Sequence, residues 1–209
     1  MANNLLERLE IRIFRGSINL EIIDFEYNYL TRLDENTFKY LANLKDLNLG
    51  WNKLKCIETK LFYELGGLEK LSLESNELEK IESNAFNNLF RLKELDLSRN
   101  RLETIEANLF TGSTHLETVN LWSNNLIDID AKTFQEMLNL KEVDLSRNCL
   151  TKIDAKMFTG LICLKRIYLH GNEFDLESNL ELYLENNVEF VSLKRNYERN
   201  DIQFINKKM

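Results

Sequence analysis

Two acid pairs, Glu94/Asp96 and Glu142/Asp144, sit two residues apart, the spacing that puts both carboxylates on one face of an extended strand. Such a pair performs acid–base chemistry when an enclosed site raises the pKa of one member. A flat, solvated strand face offers no enclosure, so catalysis is not expected of them. Nucleophiles are scarce. Cys56, Cys149 and Cys163 fall on unrelated phases of the chain, and His115 and His170 are the only histidines. No cysteine is placed beside His170 for a Cys/His pair. The motifs HExxH, GxSxG, CxxC, GxGxxG and the P-loop do not occur. The chain is therefore read as a non-enzyme, with no catalytic residue, no metal ligand and no cofactor.

Composition narrows the function further. The 209 residues include no proline and seven glycines, where average usage predicts roughly ten prolines. That excludes Pro-rich docking segments and Gly- or Pro-rich linkers. With 44% hydrophobic and 29% charged residues, the chain is neither disordered nor membrane-like in composition. The net charge of −7 argues against a phosphate-backbone binder, so nucleic acid is not an expected partner. No apolar run is long enough to span a membrane. The first residues lack the apolar stretch of a signal peptide, and three cysteines make no disulfide framework. No N-x-S/T sequon occurs either.

The elements that position any site follow from a repeat. Asparagine recurs at Asn4, Asn28, Asn52, Asn76, Asn100, Asn124, Asn148, Asn172 and Asn196, always 24 residues apart. Phenylalanine keeps the same step at Phe14, Phe38, Phe62, Phe86, Phe110, Phe134 and Phe158. Six complete units begin at Leu20, Leu44, Leu68, Leu92, Leu116 and Leu140. Counted from those leucines, apolar residues hold positions 1, 4, 6, 11 and 14, Asn holds 9 and Phe holds 19. The opening Leu-x-x-Leu-x-Leu alternates as a half-buried strand does. One unit cannot bury its own apolar face, so the units must stack into a solenoid with a shared core. Position 15 adds an acidic column, Glu10, Asp34, Glu58, Glu82, Glu106, Asp130 and Asp154, suited to the exposed N–H groups of a turn or helix start. A divalent-cation ladder is the weaker reading of it.

These units resemble leucine-rich repeats of the 24-residue class, LxxLxLxxNxLxxLxxxxFxxLxx, over almost the whole chain. The resemblance implies an α/β solenoid, a horseshoe with a concave parallel sheet of about eight strands and a mostly irregular or short-helical convex side. It also implies that the Asn column, Asn28 to Asn196, is structural and hydrogen-bonds backbone where the chain leaves each strand. A single solenoid over 1–209 is expected. It divides into a partial repeat or cap at 1–19, six full repeats at 20–163, degenerate repeats at 164–196 and a tail at 197–209. Leu176, Leu180 and Leu184 suggest a helical turn before the last strand.

On such a sheet, positions 3, 5 and 7 face the concave side. The first six strands carry Asp24, Glu26, Asp46, Glu74, Glu94, Asp96, Glu142 and Asp144 there, against one base, Lys70. The last two carry Arg166 and Lys194. Clustered carboxylates attract a basic protein surface in a salt-dependent way. Trp122, Tyr168, His170 and Phe190 form an aromatic contact patch, of the residue types enriched at interaction hot spots. Trp122 is expected to stand exposed, while Tyr27 and Trp51 are marginal at position 8. Together these residues are the candidate partner site. The expected function is a non-catalytic module that binds a protein on its concave face, as in receptor-like or secreted members of the family. The alternative is a cytosolic adaptor that positions a partner enzyme, and a homodimer stays open. The family class points to the cell surface or outside; the absent signal peptide, cysteine caps and sequons point to the cytosol. Both compartments stay open.

Overall fold

A computed structural model describes residues 4–10, 13–174 and 190–192, the last three as backbone only. Eight three-residue strands form one parallel sheet: β1 (Ile22–Asp24), β2 (Asp46–Asn48), β4 (Lys70–Ser72), β6 (Glu94–Asp96), β7 (Thr118–Asn120), β8 (Glu142–Asp144), β9 (Arg166–Tyr168) and β10 (Phe190–Ser192). Strand order follows chain order, and each strand pairs with the residues 24 further on, Ile23 with Leu47 and Leu47 with Leu71. The strands occupy positions 3 to 5, so position 4 points inward and 3 and 5 outward, giving the exposed–buried–exposed pattern of β1. A second, two-stranded sheet, β3 (Cys56–Ile57) with β5 (Lys80–Ile81), lies at positions 13 and 14 of two repeats and was not expected from the sequence.

The core is the stacked apolar columns. The seven phenylalanines of position 19 run as one spine from Phe14 to Phe158, with neighbouring ring centres 5.9 to 6.4 Å apart. Leucines at positions 1, 4 and 6, such as Leu92, Leu95 and Leu97, are fully buried beside it. No helix of the described residues is long and apolar enough to cross a membrane.

Among the described residues the convex side is built from short turns and one 3-10 turn, Ala155–Phe158. In each repeat the N–H of position 18 donates to the C=O of position 15, as Thr37 to Asp34 and Met157 to Asp154 do. The acids of position 15 act according to length. Asp34, Asp130 and Asp154 each accept the N–H two residues on, the short side chain folding back onto its own turn. Glu82 and Glu106 are one methylene longer and reach the preceding repeat instead, accepting from Thr59 and Ser83. Asn196, the suggested turn of Leu176, Leu180 and Leu184, and the tail at 197–209 lie outside the described residues.

Candidate functional site

The asparagines of position 9 fix where each strand ends. Asn100 Oδ1 accepts the N–H of Leu78, 22 residues earlier, at 3.0 Å. Its Nδ2 donates to the C=O groups of Leu73, Leu97 and Ser98. Asn28, Asn52, Asn76, Asn124, Asn148 and Asn172 repeat this arrangement, each bridging two repeats through backbone groups that are buried in the middle repeats and part-buried at Asn28 and Asn172. The buried groups among them face no water, so the side-chain amide stands in for it.

Just before each Asn, position 8 takes a left-handed backbone. Tyr27, Trp51, Ser75, Arg99, Ser123 and Arg147 all have φ between 51° and 58°, and Gly171 has 72°. The N–H of each non-glycine residue still donates to position 7 of the next repeat, as Arg99 does to Trp122 C=O at 2.8 Å. The turn is therefore imposed by the stacked backbone, although a side chain there costs about 1–2 kcal/mol. It throws the position 8 side chains along the margin of the concave face.

The concave carboxylates are far less available than their number suggests. Lys70 Nζ pairs with Glu94 at 2.8 Å, Arg166 Nε with Glu142 at 2.6 Å, and Arg99 Nε with Glu74 more loosely at 3.7 Å. The acids of position 5 are engaged locally. Asp24, Asp96 and Asp144 each accept the N–H of the residue two further on, an Asx turn that closes the strand end. Asp96 and Asp144 also take the hydroxyls of the buried Ser98 and Ser146, and Asp96 accepts from Asn120 Nδ2. Asn48 and Asn120 perform the same turn without charge. The Asp/Asn column at position 5 is the sequence signal for it.

Three carboxyls on this face are shifted upward from their ordinary pKa. Burial raises Asp46, helped by Glu94 and Asp24 against the opposing Lys70. Burial raises Glu74, with Asp96 and Glu26 adding to it and Arg99 opposing. Burial also raises Asp144, against its Ser146 hydrogen bonds and His170. Tyr168, half-buried beside Glu142, is raised by burial first and that charge second.

Aromatic and basic side chains share one margin. Tyr27 stacks on Trp51 with ring centres 5.1 Å apart and 25° between planes. The guanidinium of Arg99 lies 5.7 Å from the Trp51 ring centre and 4.7 Å from that of Trp122. Arg147 covers Trp122 as well, at 5.4 Å. Trp122 is thus half-buried between two guanidiniums, rather than exposed on the sheet. Cation–π attraction at exposed sites is worth about 0.5–1 kcal/mol per contact, enough to hold the indole in place. Tyr168 and His170 stand two repeats along, on and just after β9, and the side chain of Phe190 lies outside the described residues. Arg99 and Arg147 were not among the candidate residues read from the sequence. The change at position 8 from aromatic (Tyr27, Trp51) to basic (Arg99, Arg147), beside Trp122 at position 7, was the signal for their role.

Residues 55–180 match, in six copies, the family described as BspA type leucine rich repeat region, and residues 1–54 and 18–78 match the leucine rich repeat family. The chain belongs to the leucine-rich repeat family. Among solved structures, this leucine-rich repeat chain is similar to one from the Drosophila Toll–Spatzle complex, with 27% identity and a TM-score of 0.76, covering 92% of this chain and 27% of that one. A chain of the TLR13–ssRNA13 complex is 30% identical with a TM-score of 0.77, covering 90% and 26% respectively. The glycosylated Toll–Spatzle complex gives 29%, 0.76, 82% and 24%. The chain thus spans about a quarter of the length of these relatives. No curated protein matches the sequence. The leucine-rich repeats of such proteins are protein-interaction scaffolds.

Proposed function

We propose that the chain is a non-catalytic recognition module that holds a protein ligand against the concave face of its sheet. One observation carries this reading. The columns that build the scaffold are nearly uniform, while positions 3, 5, 7 and 8, which share the concave side, differ from repeat to repeat. They also gather Tyr27, Trp51 and Trp122 with basic partners on one margin. The Toll structures, solved with Spatzle, supply a protein ligand as precedent.

The TLR13 structure is a complex with ssRNA13, which raises an RNA ligand. The net charge of −7 and the acids Asp24, at the end of the first strand, and Glu26, just after it, disfavour a phosphate backbone. Those acids favour a basic patch on a protein instead. The acid pairs Glu94/Asp96 and Glu142/Asp144 engage Lys70, Arg166, Ser98 and Ser146, which supports the non-catalytic reading.

The test is capture of ligand from the source tissue by immobilised chain. Trp122→Ala with Tyr168→Ala is expected to weaken capture about thirtyfold, the scale of a hot-spot loss. Tyr63→Ala, an exposed aromatic on the convex turns, is expected to leave it unchanged. Equal loss from both variants, or from neither, overturns the concave assignment.

A further inference from the structure

We propose that the flank where each repeat turns back into the next strand is a second docking surface, built on the apolar row Phe90, Leu138 and Ile162. Its occupant is an amphipathic helix of a partner protein, with an acidic residue at the end over Phe90. The row lies off the concave face and stands whether or not that face holds a ligand.

The row follows from one turn made again and again. The N–H of position 1 donates to the C=O of position 22 before it: Leu92 to Leu89, Leu116 to Ser113, Leu140 to Met137 and Leu164 to Leu161, at 2.9 to 3.2 Å. Positions 23 and 24 are therefore the two central residues of a tight turn and stand at the same place in every repeat. Such turns draw glycine, asparagine and other polar residues. Position 24 conforms with Asn43 and Asn139, whose amides donate to the C=O groups of Ile18 and Thr114. Position 23 does not. From the first full repeat onward it holds Ala42, Gly66, Phe90, Thr114, Leu138 and Ile162. Phe90 and Leu138 are 54% exposed and Ile162 is 72% exposed. Ala42, Gly66 and Thr114 make the same turn without a large apolar side chain, so the scaffold does not require one. Exposed apolar residues scattered singly are ordinary, but three within four consecutive repeats of one column form a stripe.

Spacing and size select the occupant. Repeats are about 4.8 Å apart in the sheet and 5.9 to 6.4 Å apart along the Phe spine. An α-helix advances about 5.4 Å per turn, inside that range. A helix laid along the stack thus sets one turn on each repeat, and its residues i, i+4, i+7 and i+11 meet Phe90, Thr114, Leu138 and Ile162 in order. Three such side chains expose on the order of 300 Å², the scale of a functional patch on a monomer. A stable pairing with a second copy needs about 800 Å² from each side, so a single helix fits the stripe better than another solenoid.

Charge fixes the polar end. Arg91, beside Phe90 in the same turn, is exposed and has no carboxylate in ion-pair range among the described residues. Glu69, whose carboxyl feels Arg91, is already held by Lys93 at 2.6 Å. On the same border Lys141 is held by Glu117, also at 2.6 Å. Arg91 is left to donate to a carboxylate of the partner, a charge-assisted contact at the end of the apolar row.

The experiment titrates a fluorescein-labelled synthetic peptide of about eighteen residues with the full chain and reads anisotropy. The peptide carries Leu at i, i+4, i+7 and i+11, Glu in its first turn, and Ala, Gln and Lys elsewhere. Phe90→Ser with Leu138→Ser and Ile162→Ser is expected to weaken binding about thirtyfold. Thr114→Arg removes no contact and sets a long side chain in the middle of the row; it is expected to weaken binding about tenfold with folding unchanged. Arg91→Glu is expected to weaken it about fivefold. Trp122→Ala with Tyr168→Ala, on the concave side, is expected to leave it unchanged. Full binding by the Thr114→Arg and triple-Ser variants overturns the row as the surface, and loss only in the Trp122 and Tyr168 variant moves the peptide to the concave face and overturns it too. Unchanged affinity in Arg91→Glu overturns the acidic end. Equal binding of a peptide with the same residues in strictly alternating order overturns the helix. No binding at millimolar peptide overturns the docking surface. Self-association of the chain alone in sedimentation, abolished by Thr114→Arg, assigns the row to a second copy and overturns the partner named here.

Discussion

The guanidinium of Arg99 lies 4.7 Å from the ring centre of Trp122, 23 residues later in the chain, and that of Arg147 lies 5.4 Å from it. The indole is fixed by two charges rather than by the core. In a Trp51→Phe background Trp122 is the single emitter. Arg99→Ala with Arg147→Ala is then expected to shift its emission to the red and raise its quenching by acrylamide. The melting temperature should move little, because both arginines are exposed. Unchanged quenching would show that the cations do not shield the ring.

Asn100 holds four backbone groups of two repeats together. Asn100→Ala strands the Leu78 N–H and several carbonyls in the interior, which is expected to cost about 2–4 kcal/mol. Asn125→Ala, at an exposed site in the next repeat, should stay within about 0.5 kcal/mol of the parent. Urea unfolding of the two variants makes the comparison, and similar losses would argue that the column is dispensable.

Phe86 is fully buried, with Phe62 and Phe110 on either side at 6.1 and 6.4 Å. Phe86→Ala is expected to cost about 3–5 kcal/mol, since the rigid stack above and below prevents collapse into the hole. Hydrogen exchange should show protection lost first in the repeats touching residue 86. Loss spread evenly over the chain would indicate one cooperative unit with no local weakening.

Stability should respond to pH through Asp46, Glu74 and Asp144, all raised in the fold chiefly by burial. A carboxyl raised on folding is taken up as the protonated form more readily in the native state. Its stabilising contribution is therefore full below the ordinary carboxylate pKa and is lost as pH rises through the raised value. Asp144→Asn removes one such group while keeping an acceptor for the Ser146 N–H. The variant should gain on wild type as pH is raised from about 3.5 to 7. A constant difference over that range would contradict the shift.

Ser75 sits at φ 51°, in the left-handed region that every described position 8 residue shares. Ser75→Gly is expected to relieve strain and raise stability by up to about 1 kcal/mol, and Ser75→Val to lower it by about 1–2 kcal/mol. Chemical denaturation that ranks the two variants the other way would show that the backbone there relaxes freely.

The sequence by itself determined the repeat, its register and its core. A 24-residue period in Asn and Phe forces every unit into the same place in its stack, so strand positions, sheet order and the Phe spine all follow from counting. Even the Lys70–Glu94 pair was countable, since the two residues are one period apart at an outward position. Counting stops at the direction of a side chain. Arg99 reaches Trp51 across Ser75, two repeats back, because a left-handed residue swings its side chain along the stack. Asp24, Asp96 and Asp144 fold onto the N–H two residues on, an engagement set by backbone geometry at the strand end. Composition marked the face as acidic; the tertiary structure decided which acids are already occupied, because that depends on distances of a few ångströms that a column of letters does not contain.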